Sequence, residues 1–338
     1  MTRIAILGAG SWGTALSVVL AGARKPHEIS LWARNGELAE RLQLHRENAT
    51  YLPGVQLPDG IRATQDMANA LTGAHMVIGA VPSVHARAVY TQALPSITKE
   101  TIFVSATKGL EPETHLRMSQ VLTQAFAKSG TAGPSHRIAV LSGPSFAAEA
   151  ARGEPTAVVL AAREAALATL LQDEFSGPSF RLYTNDDVLG VELAGAMKNV
   201  MAIAAGACQG LGLGSNPLAA LITRGLAEMM RLAAALGARP ETLSGLAGLG
   251  DLVLTCTGAL SRNRHVGVEL GKGRKLPEIL AEMRMVAEGV DTAAPLLALA
   301  REQGIEMPIT EQVDAILHHD QSPRDAIREI MDRPLKRE

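Results

Sequence analysis

Apolar and polar positions along the first half of the chain alternate between two textures. Short apolar runs rich in β-branched residues read as strands: Arg3–Leu7, Glu28–Ala33, His75–Val81 (stopped by Pro82), Thr101–Ser105 and Arg137–Leu141. Stretches with helical spacing lie between them: Trp12 to about Ala23, a helix after Gly36, one from Pro82 to about Ala93, and one near Thr114–Ala127. Two further runs, Thr156–Leu160 and Phe180–Thr184, are expected to extend the same sheet. Strand, helix and strand in repetition imply parallel pairing and a doubly wound sheet. After Asp187 the texture changes to long Ala-, Leu- and Met-rich helical stretches, predicted over Leu189–Cys208, Pro217–Leu236, Leu276–Ala287 and Thr292–Gln303. Pro217 at the start of one and Gly237 just past its end suit the two kinds of helix terminus. The pattern predicts an α/β chain: a doubly wound sheet over residues 1–187, then an all-α C-terminal domain over 188–338, with no flexible linker and no internal repeat.

Composition narrows the function classes. The 338 residues are enough for two cores, and 47% hydrophobic with 20% charged residues is a globular composition. A net charge of −2 and only 3% aromatics leave neither the positive field nor the stacking platforms that nucleic acids require. Cys208 and Cys256 have no cysteine or histidine at metal-ligand spacing, so neither a disulfide framework nor a metal site is expected. The N-terminal glycines interrupt what a signal peptide would keep continuous, and no segment reaches the roughly 18 uninterrupted apolar residues of a membrane span. A cytoplasmic protein without a membrane span is the expectation.

Directly after the first strand stands Gly8-Ala9-Gly10-Ser11-Trp12-Gly13, a G-x-G-x-x-G opening a helix. Gly8 permits the tight turn, Gly10 lets backbone approach a pyrophosphate, and Gly13 lets helix and strand pack closely, while the helix N-terminus faces the anion. The N-terminal half thus reads as a Rossmann dinucleotide domain. Where an NAD-selective site would carry Asp or Glu, the second strand ends in Trp32-Ala33-Arg34-Asn35. Arg34 would face a 2′-phosphate, which favours NADPH over NADH, unless it is a solvated surface arginine.

Six blocks resemble the bacterial NAD(P)-dependent glycerol-3-phosphate dehydrogenases, in order and over nearly the whole chain. They are GAGSWGTA, ATKGL (Ala106–Leu110), LSGPSFAAE (Leu141–Glu149), KNVMAIAAG (Lys198–Gly206), NPLAALITRGLAEM (Asn216–Met229) and GLGDLVLTCTGALSRNRHVG (Gly248–Gly267). The resemblance implies reversible reduction of dihydroxyacetone phosphate to sn-glycerol 3-phosphate, supplying the backbone of phospholipids. It assigns Lys198 as general acid and base, with Asp251 beside it and Lys108 contributing charge. It assigns the cofactor to Gly8, Gly10, Ser11, Trp12, Gly13, Arg34, Lys108, Ala147, Arg262, Val286 and Glu288. To the substrate it assigns Lys108, Gly143, Ser145, Lys198, Asn199, Asp251, Thr255, Ser261, Arg262 and Asn263.

The residues support several of these roles independently. Around Lys198 the positions at −4, +4, +7 and +8 are Ala194, Ala202, Ala205 and Gly206, so something packs closely against the lysine's face of its helix. A lysine there is costly unless paired or used, although a snorkelling side chain with its head in water is the alternative. Burial lowers a lysine's pKa and a nearby carboxylate sustains its charge. Asp251 suits an N-cap for Leu252–Cys256 as well as a lysine partner. Ser261 is a good N-cap for the helix after it, and such a terminus with Arg262 would grip a phosphate, unless this is only a capped surface helix. Lys108, Gly143 and Ser145 follow strands at the carboxyl edge of the sheet, where doubly wound folds bind ligands. The apolar helical domain leads to the expectation of a homodimer. Two other readings stay open: another two-domain dehydrogenase, acting on 3-hydroxyacyl or 6-phosphogluconate substrates, and a non-catalytic dinucleotide-binding regulator.

Overall fold

The computed structural model describes residues 1–128, 137–335 and 337. The chain divides into two compact units: Met1–Glu111 with Leu116–Glu192, and Pro112–His115 with Leu193–Glu338. The change of unit therefore falls inside a helix that starts at Val188, whereas the sequence reading puts the boundary at 187.

The first unit runs β1 (Thr2–Leu7), α1 (Ser11–Ala21), β2 (His27–Trp32), α2 (Gly36–His45), β3 (Glu47–Asn48), β4 (Leu52–Gln56), β5 (Ile61–Thr64), α3 (Met67–Leu71), β6 (Met76–Gly79), α4 (Ser83–Ala93), β7 (Ile102–Ser105), α5 (Met118–Lys128), β8 (Ile138–Ser142), α6 (Ala147–Ala151), β9 (Thr156–Ala162), α7 (Ala165–Phe175) and β10 (Phe180–Asn185). Eight strands form one sheet in the order β10-β9-β8-β7-β6-β1-β2-β5. Helices cover both faces, which is why the strands read as continuous apolar runs: in β1, Ile4 and Ile6 enter the core on one face, Ala5 and Leu7 the core on the other.

Parallel pairing holds throughout except at β8 and β9, which run antiparallel with Ser142 opposite Val159. The reason lies in their connection. A parallel crossover needs a helix long enough to pack back across the sheet; the five-residue α6 packs instead on α1, and the chain returns in the opposite direction. Among the strands, the edge strand β5, whose outward Arg62 breaks the apolar run, and the separate hairpin β3–β4 escape the sequence pattern, as do the helices α3, α6 and α7.

Among the described residues, the regular elements of the second unit are all helices. It contains most of α8 (Val188–Gly210), then α9 (Ser215–Ala235), α10 (Pro240–Ser244), a π-helical turn at Leu246–Gly250, α11 (Asp251–Thr257), α12 (Arg262–Gly271), α13 (Leu276–Glu282), α14 (Glu288–Glu302), α15 (Pro308–His318) and α16 (Pro323–Met331). Helix α9 begins two residues before Pro217, which still sits in the first turn where a missing N–H costs nothing. The predicted helix Leu276–Ala287 ends early, at Glu282, because Met283 is extended. Its successor begins at Glu288 rather than Thr292, drawn back by Gly289, whose N–H donates to Asn263 Oδ1 (2.8 Å). Among the described residues, α8 alone is long and apolar enough to cross a membrane, and 89% of its most apolar window is buried inside the protein.

Glu228 of α9 is buried, and its carboxylate accepts the backbone N–H groups of Ile309 (2.7 Å) and Thr310 (3.3 Å) at the start of α15. Burial pushes its pKa from 4.5 to about 7, against the pull of those N–H groups. A carboxyl raised on folding keeps its proton while the unfolded chain loses it, so stability falls as pH rises from 4.5 towards 7 and stays low above. The shift corresponds to a loss on the order of 3 kcal/mol. Urea unfolding at pH 5 and pH 8 is expected to show this loss, and Glu228→Gln to flatten it. An unchanged pH dependence in the variant would contradict the assignment.

Candidate active site

In the first unit, candidate residues gather at the carboxyl ends of β1, β2, β7 and β8. Gly8 leaves β1 with φ +115, a conformation L side chains rarely adopt, and a Cβ there would lie 2.5 Å from the Ala80 carbonyl oxygen. A Cβ on Gly13 would lie 1.8 Å from Gly8 O, so the helix is seated directly on the turn. A Cβ on Gly10 would meet nothing within 4 Å, which leaves that side of the loop open. Helix α1 starts at Ser11, and its first backbone bond runs from Thr14 N–H to Gly10 O (3.0 Å). A loop closed on two sides and open on the third, at a helix N-terminus, fits a pyrophosphate. The indole N–H of Trp12 is buried without a hydrogen-bond partner among the described residues.

Arg34 stands exposed just past β2, where the sequence reading places it. The neighbouring Asn35 caps α2, its side chain accepting the Leu38 N–H (3.0 Å). Lys108, Gly143 and Ser145 do come together, around one oxygen. Lys108 Nζ (3.0 Å) and Ser145 Oγ (2.9 Å) both donate to the Gly143 carbonyl. Gly143 has φ +127 and Ala147 opens α6.

In the second unit, the face of α8 that carries Asn199, Ile203, Gly206 and Gly210, next round the helix from Lys198, meets α12 almost backbone to backbone. A Cβ on Gly206 would lie 2.0 Å from Arg264 O, and one on Gly267 2.0 Å from Ile203 O. Of the small residues that predict close packing on the face of Lys198, Gly206 alone takes part in this crossing among the described residues; the lysine itself turns to α11. Lys198 itself is 7% exposed, so it does not snorkel. Its Nζ lies 3.0 Å from Asp251 Oδ1 and donates to Thr255 Oγ (2.8 Å), while Thr255 Oγ donates to Asp251 O (2.6 Å). Asp251 is 1% exposed and is the first residue of α11, with Gly250 in the capping position before it. The N-cap reading of Asp251 is therefore corrected in favour of the lysine partner. The α11 register explains the triad: Asp251 and Thr255 are four apart, hence on one face.

Asn199, next on α8, accepts from Asn263 Nδ2 (2.9 Å), and Asn263 Oδ1 accepts from Gly289 N (2.8 Å). This chain of bonds joins three helices and was not legible in the sequence, which marks both asparagines only through the resemblance. Ser261 caps α12 as expected, accepting from Arg264 N (3.2 Å), and Arg262 projects exposed from the first helical position. Cys256, beside the triad, is fully buried, and burial pushes its thiol up to about 12, so it is inert as a nucleophile. Glu288 is the first residue of α14, and Val286, two residues before it, is 36% exposed. A buried ammonium held between a carboxylate and a hydroxyl can deliver and retrieve a proton, and a capped helix N-terminus bearing an arginine can hold a phosphate.

Comparison with known proteins gives the family. Residues 3–168 match the family model of the NAD-dependent glycerol-3-phosphate dehydrogenase N-terminus, and residues 187–328 that of its C-terminus. A glycerol-3-phosphate dehydrogenase [NAD(P)+] of Koribacter versatilis is 54% identical over 335 residues, 99% of this chain and 98% of that protein. One of Citrifermentans bemidjiense is 52% identical, with the same coverage. A crystal structure of glycerol-3-phosphate dehydrogenase from Coxiella burnetii matches with a TM-score of 0.91 and 42% identity, over 98% of this chain and 99% of that one. The chain belongs to the NAD-dependent glycerol-3-phosphate dehydrogenase family.

Proposed function

We propose that this enzyme reduces dihydroxyacetone phosphate to sn-glycerol 3-phosphate, reversibly, with NADPH or NADH, and so supplies the glycerol phosphate backbone of phospholipids. The observation that carries the reading is the buried Lys198, held by Asp251 at 3.0 Å and Thr255 at 2.8 Å in the unit that also bears Arg262 on a capped helix N-terminus. Residues 1–187 serve as the dinucleotide domain and 188–338 as the substrate domain. The nicotinamide, when bound, supplies the hydride that reaches the ketone carbon. Lys198 protonates the ketone oxygen as negative charge develops there, and takes the proton back in the reverse direction. Asp251 and Thr255 hold the Lys198 Nζ in place. Lys108 adds positive charge towards the substrate oxygens. Ser261, Arg262 and Asn263 anchor the phosphate, and remote anchoring of this kind orients a small ketone. Gly143, Ser145 and Asn199 complete the substrate contacts.

The residues that would hold the dinucleotide are Gly8, Gly10, Ser11, Trp12, Gly13 and Arg34, with Lys108, Ala147, Arg262, Val286 and Glu288. Exposed Arg34, in place of an acidic residue, supports a preference for NADPH. Exposed Leu213, Leu249, Val253 and Leu260 on the helical unit support a homodimer, and two free cysteines support a reducing, cytoplasmic setting. The test follows NADPH and, separately, NADH oxidation by purified protein. Oxidation that requires dihydroxyacetone phosphate and is absent with free dihydroxyacetone is the expected result. No oxidation of either cofactor by protein that still binds NADPH would overturn the proposal.

A further inference from the structure

The hairpin β3–β4 stands outside the main sheet, and none of its residues has a part in the proposed reaction. Its Asn48 is completely buried, at 0% exposure. A primary amide has two N–H donors, and Asn48 spends both on the glycine loop and its helix: Nδ2 donates to Ala9 O (2.9 Å) and to Thr14 Oγ (2.8 Å). Ala9 lies between the first two glycines, while Thr14 is in the first turn of α1 and donates its own N–H to Gly10 O. The other end of the amide, Oδ1, accepts from Tyr51 N (3.1 Å), and Ser11 Oγ donates back to Tyr51 O (2.7 Å). Turning the amide over would set Oδ1 against the Ala9 carbonyl, so its orientation is fixed by its neighbours. Below these bonds, Trp12 and Ala147 pack on a small core of Ala15, Leu52 and Val55.

A loop of three glycines has almost no side chains with which to hold its own shape, and an unheld loop must be ordered when an anion binds. We propose that Asn48 is the positioning residue of the dinucleotide loop. It ties the turn to the helix so that the N-terminal N–H groups of α1 are aimed before the pyrophosphate arrives. The hairpin exists, on this account, to carry that amide. The inference rests on the reading of Gly8–Gly13 as the pyrophosphate cradle.

The test measures binding of NADPH by fluorescence and of ADP-ribose by calorimetry in Asn48→Asp, which keeps the volume and the acceptor but removes the donors, and in Thr14→Val, which keeps the volume but removes one acceptor. Each is expected to weaken both ligands, Asn48→Asp by about tenfold or more, as loss of hydrogen bonds in a buried site implies. KM for NADPH should rise in parallel while KM for dihydroxyacetone phosphate and kcat at saturating NADPH stay close to wild type. Thr14→Ser, which restores the hydroxyl, is expected to return the affinity lost in Thr14→Val. Wild-type affinity in folded Asn48→Asp or Thr14→Val, or a fall in kcat with unchanged affinity, would overturn the proposal. ADP-ribose has no nicotinamide and needs no turnover, so an enzyme inactive on dihydroxyacetone phosphate would leave this test standing.

Discussion

Lys198→Ala is expected to lower kcat for dihydroxyacetone phosphate reduction by about 10²–10⁴-fold, the range that a positioned general acid contributes. NADPH affinity should stay near wild type, because the glycine loop proposed to hold the dinucleotide, residues 8–13, belongs to the other compact unit. Stability is a separate consequence. Asp251 would remain as a buried carboxylate without its cation, and breaking such a pair typically costs about 3–5 kcal/mol. The measurement therefore pairs steady-state kinetics with an NADPH titration and a folded-state check at the assay temperature. Loss of turnover in folded, NADPH-binding protein is the expected outcome. A mutant that keeps most of its activity would remove the lysine from the mechanism.

The second large effect comes from the crossing of α8 with α12. Gly206→Ala or Gly267→Ala would place a methyl 2.0 Å from a backbone oxygen and 2.8 Å from a backbone nitrogen of the opposite helix. No rotamer change relieves a contact with backbone, so the helices must separate. Overpacking typically costs about 1–3 kcal/mol, and this geometry belongs at or above the upper end of that range. A fall in Tm on the order of 6–12 °C follows for a domain of this size. Separation would also stretch the Asn263–Asn199 bond of 2.9 Å, so a drop in kcat/KM for dihydroxyacetone phosphate should accompany it, with NADPH binding spared. Gly60→Ala, where a Cβ meets nothing within 4 Å, serves as the control. Wild-type stability and activity in both crossing variants would show that the two helices can part at no cost.

Of the small residues flanking Lys198, only Gly206 belongs to this crossing, which lies on the adjacent face of α8 with Asn199 and Ile203. Alternation of apolar faces in β1, β6 and β7 made those strands legible, since two-sided burial leaves a continuous apolar run. The edge strand β5 was not legible, because Arg62 faces solvent there and imitates a loop. Asn48 was hidden for a related reason: a buried asparagine within a polar stretch gives no periodic signal, and only its three partners reveal it. The direction of β9 was illegible because it depends on where a five-residue helix packs, which is a tertiary matter. Residues 283–287 are composed like a helix, and it is the seat of Gly289 against Asn199 and Asn263 that breaks them from α13. Asp251 could have been a cap or a partner by spacing alone. The 3.0 Å contact with Lys198 decides it.

The most direct test of the lysine chemistry is rescue of Lys198→Ala by small primary amines such as methylamine. Turnover of dihydroxyacetone phosphate with NADPH is followed as amine concentration is raised at constant ionic strength. The account predicts activity that returns in proportion to the protonated amine and saturates as the vacated space fills. Substantial turnover without any amine, in a variant confirmed to lack the lysine, would contradict it.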